Sequence, residues 1–179
     1  MKQNNLPDVS IIFAVDKKTS AIGEGNSLPW RNVNLDLNFL KTKIKENEVL
    51  VLTENLLHSL PEVFLNFLDE QGKLIIVLNS SYTFSEFTQS EVFLKSKKIL
   101  ILGGFKLFDV ALSSGLVDKV YVNYLNFEKD IKITKETKFY DFVGKHRNFY
   151  ISKVDILGFD NNTSRGKCFI ISYEYRTQS

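Results

Sequence analysis

Asp36 is the acid whose surroundings in the sequence most clearly suggest chemistry. It lies among leucines, including Leu37 and Leu40, in a segment whose apolar residues have helical spacing from 33 to 44. A solubilising acid would occupy the outer face of such a helix, so an acid among leucines is expected to be hydrogen-bonded or functional. The preceding stretch, AIGEGNSLPW (21–30), contains glycine, asparagine and proline and predicts a mobile loop that leads into this helix.

A double glycine is the second chemical signal. Gly103 and Gly104 stand between an apolar strand, predicted at 98–102, and a helix, predicted at 105–112. Glycines there let a ligand approach the backbone, and a helix N-terminus offers N–H groups to a phosphate. Lys106, in the first turn of the helix, adds a cation for a pyrophosphate. The pattern alone is also typical of an ordinary tight turn.

The hydrophobic periodicity predicts the elements that must position these residues. Strands are expected at 9–15, 49–52, 73–78, 98–102 and 117–124, the first four of them buried, and helices at 34–46, 53–60, 62–71 and 105–112. Residues 82–96 fit either a short strand or a pair of helices, and 126–136 read as a solvated connection. The runs 150–157 and 167–175, joined by GFDNNTSRG, predict an antiparallel hairpin. The whole is an α/β pattern in one domain, residues 1–179.

Composition excludes several classes of function. The 23 basic and 21 acidic residues are scattered without a dense basic stripe, so no nucleic-acid partner is expected. Cys168 is the only cysteine and the two histidines are far apart, which excludes an intramolecular disulfide and argues against a metal site. The longest apolar runs are too short to cross a bilayer, so no membrane association is expected. A cytoplasmic setting fits these features.

Taken together, the motifs resemble dihydrofolate reductase. AIGEGNSLPW follows the strand VSIIFAVD, and an acid stands six residues after the tryptophan, as in vertebrate and some bacteriophage members. ILGGFKLFDVAL resembles the cofactor-binding strand, double glycine and helix of that family, and GKLIIVLNSS another of its segments. The resemblance covers about residues 9–175. It implies a three-layer α/β fold with a mixed, mostly parallel central sheet, flanking helices and a C-terminal hairpin.

The resemblance also implies an activity and a set of site residues. The activity is the reduction of 7,8-dihydrofolate, or a close pterin, by NADPH, with NADH possible. Asp36 and Trp30 take the catalytic positions, Asp36 binding N3 and the 2-amino group of the pterin and Trp30 ordering a water. The substrate-binding positions are Ile12, Leu37, Leu40, Ser59, Leu60, Lys73 and Asn123. The cofactor-binding positions are Ala14, Ile22, Ser80, Leu102, Gly103, Gly104, Lys106 and Phe108.

Several positions depart from the family pattern. Residues 53–56 (TENL) stand where the family has the Gly-Arg-Lys/His-Thr that holds the 2′-phosphate, so an acid, Glu54, replaces an arginine. Phe105 replaces a small residue, and Phe108 replaces a tyrosine. Lys73 replaces the arginine that holds the glutamate tail of folate, and Asn123 replaces the threonine that hydrogen-bonds the acid.

These departures leave two alternatives open. One is a reductase fold whose cofactor site has decayed and which is kept as a binding or structural component. The other is a reductase acting on a pyrimidine or riboflavin precursor. For all three readings the sequence fits either a monomer or a homodimer.

Overall fold

The computed structural model describes residues 4–31 and 33–178. Seven strands are hydrogen-bonded in the order β4-β3-β5-β1-β6-β9-β8, and β2 pairs with β7 in a separate two-stranded sheet. The strands are β1 (Asp8–Asp16), β2 (Ala21–Glu24), β3 (Val49–Thr53), β4 (Leu74–Leu78), β5 (Lys98–Gly103), β6 (Lys119–Phe127), β7 (Thr137–Phe139), β8 (Phe149–Thr163) and β9 (Gly166–Thr177). The helices are α1 (Asn34–Glu46), α2 (Glu54–Ser59), α3 (Glu62–Gln71), α4 (Phe84–Thr88), α5 (Glu91–Lys95), α6 (Phe105–Ser113) and α7 (Phe142–Lys145).

The chain divides into two compact units. The first contains the described residues up to Ile12 and Thr42–Asp118. Its strands are parallel: β3 pairs with both β4 and β5, and β5 pairs with the start of β1. Leu50, Ile99 and Leu100 are completely buried there. Parallel strands covered on both faces read as continuous apolar runs, which is why this part of the sheet was predictable.

The second unit contains Phe13–Lys41 and Lys119–Gln178. Here β9 pairs in antiparallel fashion with both β6 and β8. A buried cluster that includes Trp30, Phe127 and Ile170 forms its core. At 13 residues α1 is the longest helix described, and no helix in the described chain is long and apolar enough to cross a membrane.

Most predicted elements are confirmed, and residues 82–96 form the pair of helices rather than a strand. Each member of the pair begins at a capping hydroxyl. The Thr83 side chain accepts from the backbone N–H of Glu86 while the Glu86 carboxylate accepts from that of Thr83, and Ser90 accepts from Phe93. Short helices depend on such caps because they leave most of their terminal N–H groups without intrahelical partners.

Four expectations need correction. The loop predicted at 21–30 is partly a strand, since β2 pairs with β7. The strand β4 lies at the sheet edge, so Leu74 is 49% exposed and the strand is not buried.

The other two corrections concern connections. The solvated segment 126–136 includes the end of β6 and the buried Ile131. The terminal hairpin is longer than expected: most of GFDNNTSRG continues β8, and the turn is confined to Ser164 and Arg165.

Candidate active site

The helix that carries Asp36 begins at a cap supplied from far along the chain. One carboxylate oxygen of Asp160, in β8, accepts hydrogen bonds from the backbone N–H groups of Asn34 at 2.6 Å and Leu35 at 3.3 Å. Asp160 is only 7% exposed. A negative side chain at a helix N-terminus satisfies the orphan N–H groups and complements the helix dipole. This contact fixes the first turn of α1, and with it the position of Asp36.

Asp36 is held by Asn123, the residue opposite it on β6. The Asn123 Nδ2 donates to Asp36 Oδ1 at 2.8 Å. The ring of Phe39, one turn further along α1, packs edge-on against Tyr121 of β6 at a centroid distance of 6.1 Å. Together these contacts hold the face of α1 that carries Asp36 and Phe39 against β6.

The surroundings of Asp36 shift its acidity. Burial raises the pKa of the carboxyl group from 3.8 to about 6, and the hydrogen bond from Asn123 opposes part of that rise because it stabilises the ionised form. The carboxyl group therefore titrates close to neutral pH. An acid with such a pKa is partly ionised near neutral pH. It can therefore accept a charge-assisted hydrogen bond or transfer a proton at the pH where many enzymes work.

Two buried polar atoms of the second unit are without a hydrogen-bond partner within the described chain. They are the Oδ1 acceptor of Asn123, a residue 1% exposed, and the Nε1 donor of Trp30, a residue 3% exposed. Trp30 packs its ring against Phe127 at 5.8 Å. Buried polar groups are rarely left unpaired in proteins, so an orphan acceptor and an orphan donor are the groups expected to meet a polar ligand or an ordered water.

The loop before α1 is anchored at its glycine. Gly25 donates its N–H to the Glu136 carbonyl at 3.1 Å and accepts at its own carbonyl from Lys138 Nζ at 2.7 Å. The Thr134 hydroxyl donates to the Glu24 carboxylate at 2.9 Å. Leu28, by contrast, is 53% exposed. The segment is therefore tied at 21–25, exposed at 26–28 and buried again at Pro29 and Trp30, so the exposed part of the predicted mobile loop is only three residues long.

The first unit presents the double glycine at the end of β5. Gly103 has a φ of +131°, a backbone conformation that favours glycine, whereas a Cβ built there would make ordinary contacts of 3.4 Å with side-chain atoms of Leu56 and Phe108. Gly104 donates its N–H to the Thr53 hydroxyl at 3.2 Å. It also precedes α6 without any side-chain cap. The start of α6 thus has glycine backbone and the exposed Lys106 available to an anion.

Glu54 directly follows Thr53, the residue whose hydroxyl accepts the hydrogen bond from Gly104. Thr53 caps α2, accepting from the N–H of Leu56 at 3.3 Å, and Glu54 is the exposed first residue of that helix. A carboxylate at a helix N-terminus stabilises the helix, but it repels a phosphate placed at the same end. The start of α2 is consequently poorly suited to a phosphate, unlike the start of α6.

No protein-family model matches the sequence. Dihydrofolate reductase type A10 of Escherichia coli is 29% identical over 137 residues, with 69% of each chain covered. A solved structure, dihydrofolate reductase from Enterococcus faecalis complexed with NADP(H) and RAB-propyl, superposes with a TM-score of 0.65 at 17% identity, covering 96% of this chain and 97% of that one.

The chain is thus similar in sequence to one dihydrofolate reductase and similar in fold to another. Its fold, a mixed sheet with a C-terminal antiparallel hairpin and flanking helices, is a dihydrofolate-reductase-like fold, as the sequence resemblance implied. The expected partnership of Asp36 with Asn123, in place of the family's threonine, is present in the structure.

Other positions carried over from the dihydrofolate reductases have mixed surroundings. The Lys73 Nζ donates to the Lys45 carbonyl at 3.1 Å, near the C-terminus of α1, so it already has a structural partner. The exposed Ser59 donates its hydroxyl to the Leu56 carbonyl at 2.8 Å. Ser80 is exposed in the turn after β4. Their roles in ligand binding stay predictions.

The apolar positions are placed as follows. Ile12, Ile22 and Phe108 are buried, and Phe108 packs behind Gly103. The remaining apolar positions are half-buried, as wall-forming residues need to be: Ala14, Leu37, Leu40, Leu60 and Leu102. Their contact with substrate or cofactor also stays a prediction.

Two site-building residues escaped the sequence analysis. Asp160 was read as part of a turn, because aspartate followed by two asparagines is a common turn composition and nothing in it indicates a cap for a distant helix. The sequence places Thr53 inside the helix predicted at 53–60 and among the departures from the family motif, whereas in the structure it is the cap before that helix. Its hydroxyl serves two backbone N–H groups, those of Leu56 and Gly104.

Proposed function

We propose that the protein reduces 7,8-dihydrofolate, or a close pterin, to the tetrahydro form with a reduced nicotinamide cofactor. The observation that carries the proposal is the half-buried Asp36 carboxyl group, which is hydrogen-bonded to Asn123 and has a pKa of about 6, in a chain similar in sequence to a dihydrofolate reductase. Ionised Asp36 accepts from N3 and the 2-amino group of the pterin. The orphan Asn123 Oδ1 is a further acceptor suited to an amino group.

The residues of the first unit suit a dinucleotide. The half-buried Gly104 has only the Thr53 hydroxyl near the position of a Cβ, the N-terminus of α6 suits a pyrophosphate, and the exposed Lys106 supplies a positive charge. A bound reduced nicotinamide supplies the hydride. The exposed part of the loop 21–30 excludes water on closing, and solvent near this loop supplies the proton for N5.

NADPH is the cofactor we propose, with weak discrimination against NADH. The related Enterococcus faecalis structure is complexed with NADP(H), which supports NADPH. Glu54 opposes it, since a carboxylate at the start of α2 repels a 2′-phosphate by roughly 1 kcal/mol at an exposed position. NADH lacks that phosphate and escapes this penalty.

The first test is a steady-state assay at 340 nm with dihydrofolate and either NADPH or NADH. Turnover is expected with both cofactors and is expected to collapse in Asp36→Asn. Asp69→Asn, an exposed acid on α3, is the matched control and is expected to keep full activity. Absence of turnover with either cofactor, in protein shown to be folded, would refute the reductase function.

A binding protein with a decayed cofactor site is the second candidate, and Glu54 and Phe105 favour it. The two functions are separated by a cationic diaminopyrimidine antifolate, which requires the ionised Asp36. Tight antifolate binding without turnover identifies the decayed site. Antifolate binding together with turnover identifies the reductase.

The proposed setting follows from the proposed substrate. A folate or pterin and a reduced dinucleotide are the small-molecule partners, and both belong to the cytoplasm. The buried, reduced Cys168 is consistent with that compartment.

A further inference from the structure

The face of the hairpin formed by β8 carries four exposed apolar side chains. They are Ile151, Val154, Ile156 and Phe159, between 51% and 71% exposed. A single exposed apolar residue is ordinary, but a contiguous row of four on one strand is typical of a surface that another molecule covers. We call these four residues the β8 stripe.

Two β-bulges bring the β8 stripe onto one face. In an unbroken strand, residues three apart point to opposite faces, so Ile151 would oppose Val154, and Ile156 would oppose Phe159. The register of β8 shifts between Ile151 and Lys153 and again between Ile156 and Gly158. Each shift changes which face the following residues occupy.

The pairing with β9 confirms that all four share a face. Their partners are Tyr175, Tyr173, Ile171 and Phe169 in that order, which alternate along β9 and therefore lie on one side of the sheet. The opposite side of β9 carries Cys168, Ile170 and Ser172, which are buried. The bulges thus collect apolar side chains on the more exposed face, an arrangement that lowers solubility unless the face is covered.

The edge of β8 offers a way to place the β8 stripes of two molecules side by side on one sheet face, where each shields part of the other from water. β8 ends the sheet order, so in the described residues only its β9 side is paired with a strand. A long edge strand with apolar side chains and no proline is a template for pairing with another strand. Between the two bulges, residues 153–156 keep a regular register and leave an undistorted segment for such pairing.

The charges in this segment favour one register for pairing with a second copy of the strand. In antiparallel pairing of two identical strands, opposite residues must share a face, so the two-fold axis passes through a residue position. Centred on Lys153 or Asp155, the pairing places like charges opposite each other, which is destabilising. Centred on Val154, it places Lys153 of each copy opposite Asp155 of the other.

We propose that the protein forms a two-fold symmetric homodimer through antiparallel pairing of β8 with β8 of a second copy, centred on Val154. Lys153 and Asp155 now form an ion pair within one strand at 3.4 Å, with both side chains exposed. In the dimer, Lys153 of each copy lies opposite Asp155 of the other copy. The inference does not depend on the proposed enzymatic activity.

Sedimentation velocity over a concentration series tests the proposal. The wild-type chain is expected to sediment as a dimer of two 20.6 kDa subunits. Lys153→Asp and Asp155→Lys alone place like charges across the interface and are expected to weaken dimerisation at least tenfold. The double exchange Lys153→Asp/Asp155→Lys restores opposite charges and is expected to recover the wild-type dissociation constant.

The apolar contribution is tested separately. Ile156→Lys, at a position 71% exposed, is expected to give a monomer without loss of folding. Val63→Lys, at an apolar position on α3 that is 79% exposed, is the matched control and is expected to leave the dimer intact. A monomeric wild-type chain would mean that another molecule covers the β8 stripe. That result, or a dimer insensitive to both Ile156→Lys and the single charge exchanges, would overturn the proposal.

Discussion

The acid-bearing region around Asp36 and the glycine-bearing region around Gly103 differ from the dihydrofolate reductase pattern in different ways. Near Asp36 the chain has Asn123 where that pattern has threonine, but Asn123 donates a hydrogen bond to the acid at 2.8 Å. At the start of α2 the chain has Glu54 where that pattern has arginine, which reverses the charge. The comparison teaches that a departure matters according to the donor or charge it removes, and only the second departure removes one.

The largest expected effect concerns Asp36 and stability. Its pKa is higher in the folded chain than its ordinary 3.8, so the folded state binds the proton more tightly and stability falls as pH rises from about 4 to about 6. The full loss is about 3 kcal/mol. Asp36→Asn is therefore expected to unfold with a larger free energy than wild type at pH 7 and with an equal one below about pH 4. Urea denaturation at the two pH values measures this.

Asp69→Asn controls for the loss of one carboxylate, because Asp69 is exposed. It is expected to change the free energy of unfolding by less than about 0.5 kcal/mol at either pH. If Asp36→Asn were destabilised at neutral pH, the acid would not be carrying an unfavourable buried charge, and the contrast between the two regions would lose its basis.

Variants of Asn123 test whether its hydrogen bond to Asp36 replaces the one that the threonine donates in the dihydrofolate reductase pattern. Asn123→Leu removes the donor, which raises the pKa of Asp36 further and forfeits a charge-assisted hydrogen bond of about 1.5–3 kcal/mol. Binding of a cationic diaminopyrimidine at neutral pH is expected to weaken about 10- to 100-fold. Asn123→Thr, which restores a hydroxyl donor, is expected to stay within a few-fold of wild type. Calorimetric titration measures both, and equal affinities for the leucine and threonine variants would contradict the compensation.

The two glycines provide a contrast within the glycine-bearing region. Gly103→Ala places a side chain at φ +131° against Leu56 and Phe108, so a loss of about 1–3 kcal/mol of stability is expected. Gly104→Ala meets only the Thr53 hydroxyl, at 3.8 Å, and is expected to be nearly neutral for stability while reducing dinucleotide affinity. Thermal denaturation and cofactor titration separate these effects. A Gly104→Ala variant with wild-type cofactor affinity would argue against close approach of the ligand.

The smallest expected effect concerns the charge of Glu54 and the choice between NADPH and NADH. Glu54→Arg restores a positive charge at the start of α2, and the preference for NADPH over NADH, as the ratio of kcat/KM values, is expected to rise about fivefold or more. Glu54→Gln removes only the repulsion and is expected to give a smaller rise. If neither variant changes the ratio, Glu54 does not face the 2′-phosphate.

Prediction from the sequence succeeded where the residue types at neighbouring positions reflect a single physical requirement, such as burial. The buried strands β1, β3 and β5 were readable from continuous apolar runs, and Asp36 from the leucines around it. Edge position could not be predicted, because β4 is as apolar in sequence as β3 and the sheet order is needed to show that, among the described residues, its outer side has no strand partner. The bulges of β8 were equally invisible, since a shifted register follows from pairing with β9 rather than from the strand's own residues.

The cap of α1 has a consequence for how the protein is made. Asp160 lies 126 residues after Asn34, the first residue of the helix it caps. As the chain leaves the ribosome, α1 emerges with its first N–H groups unpaired and keeps them so through most of synthesis, because domains complete their long-range contacts only when both partners exist. A nascent chain stalled before β8 would contain Asp36 but not Asp160, so the first turn of α1 would lack its cap. Affinity for a diaminopyrimidine should therefore appear late in translation, after the terminal hairpin has been released.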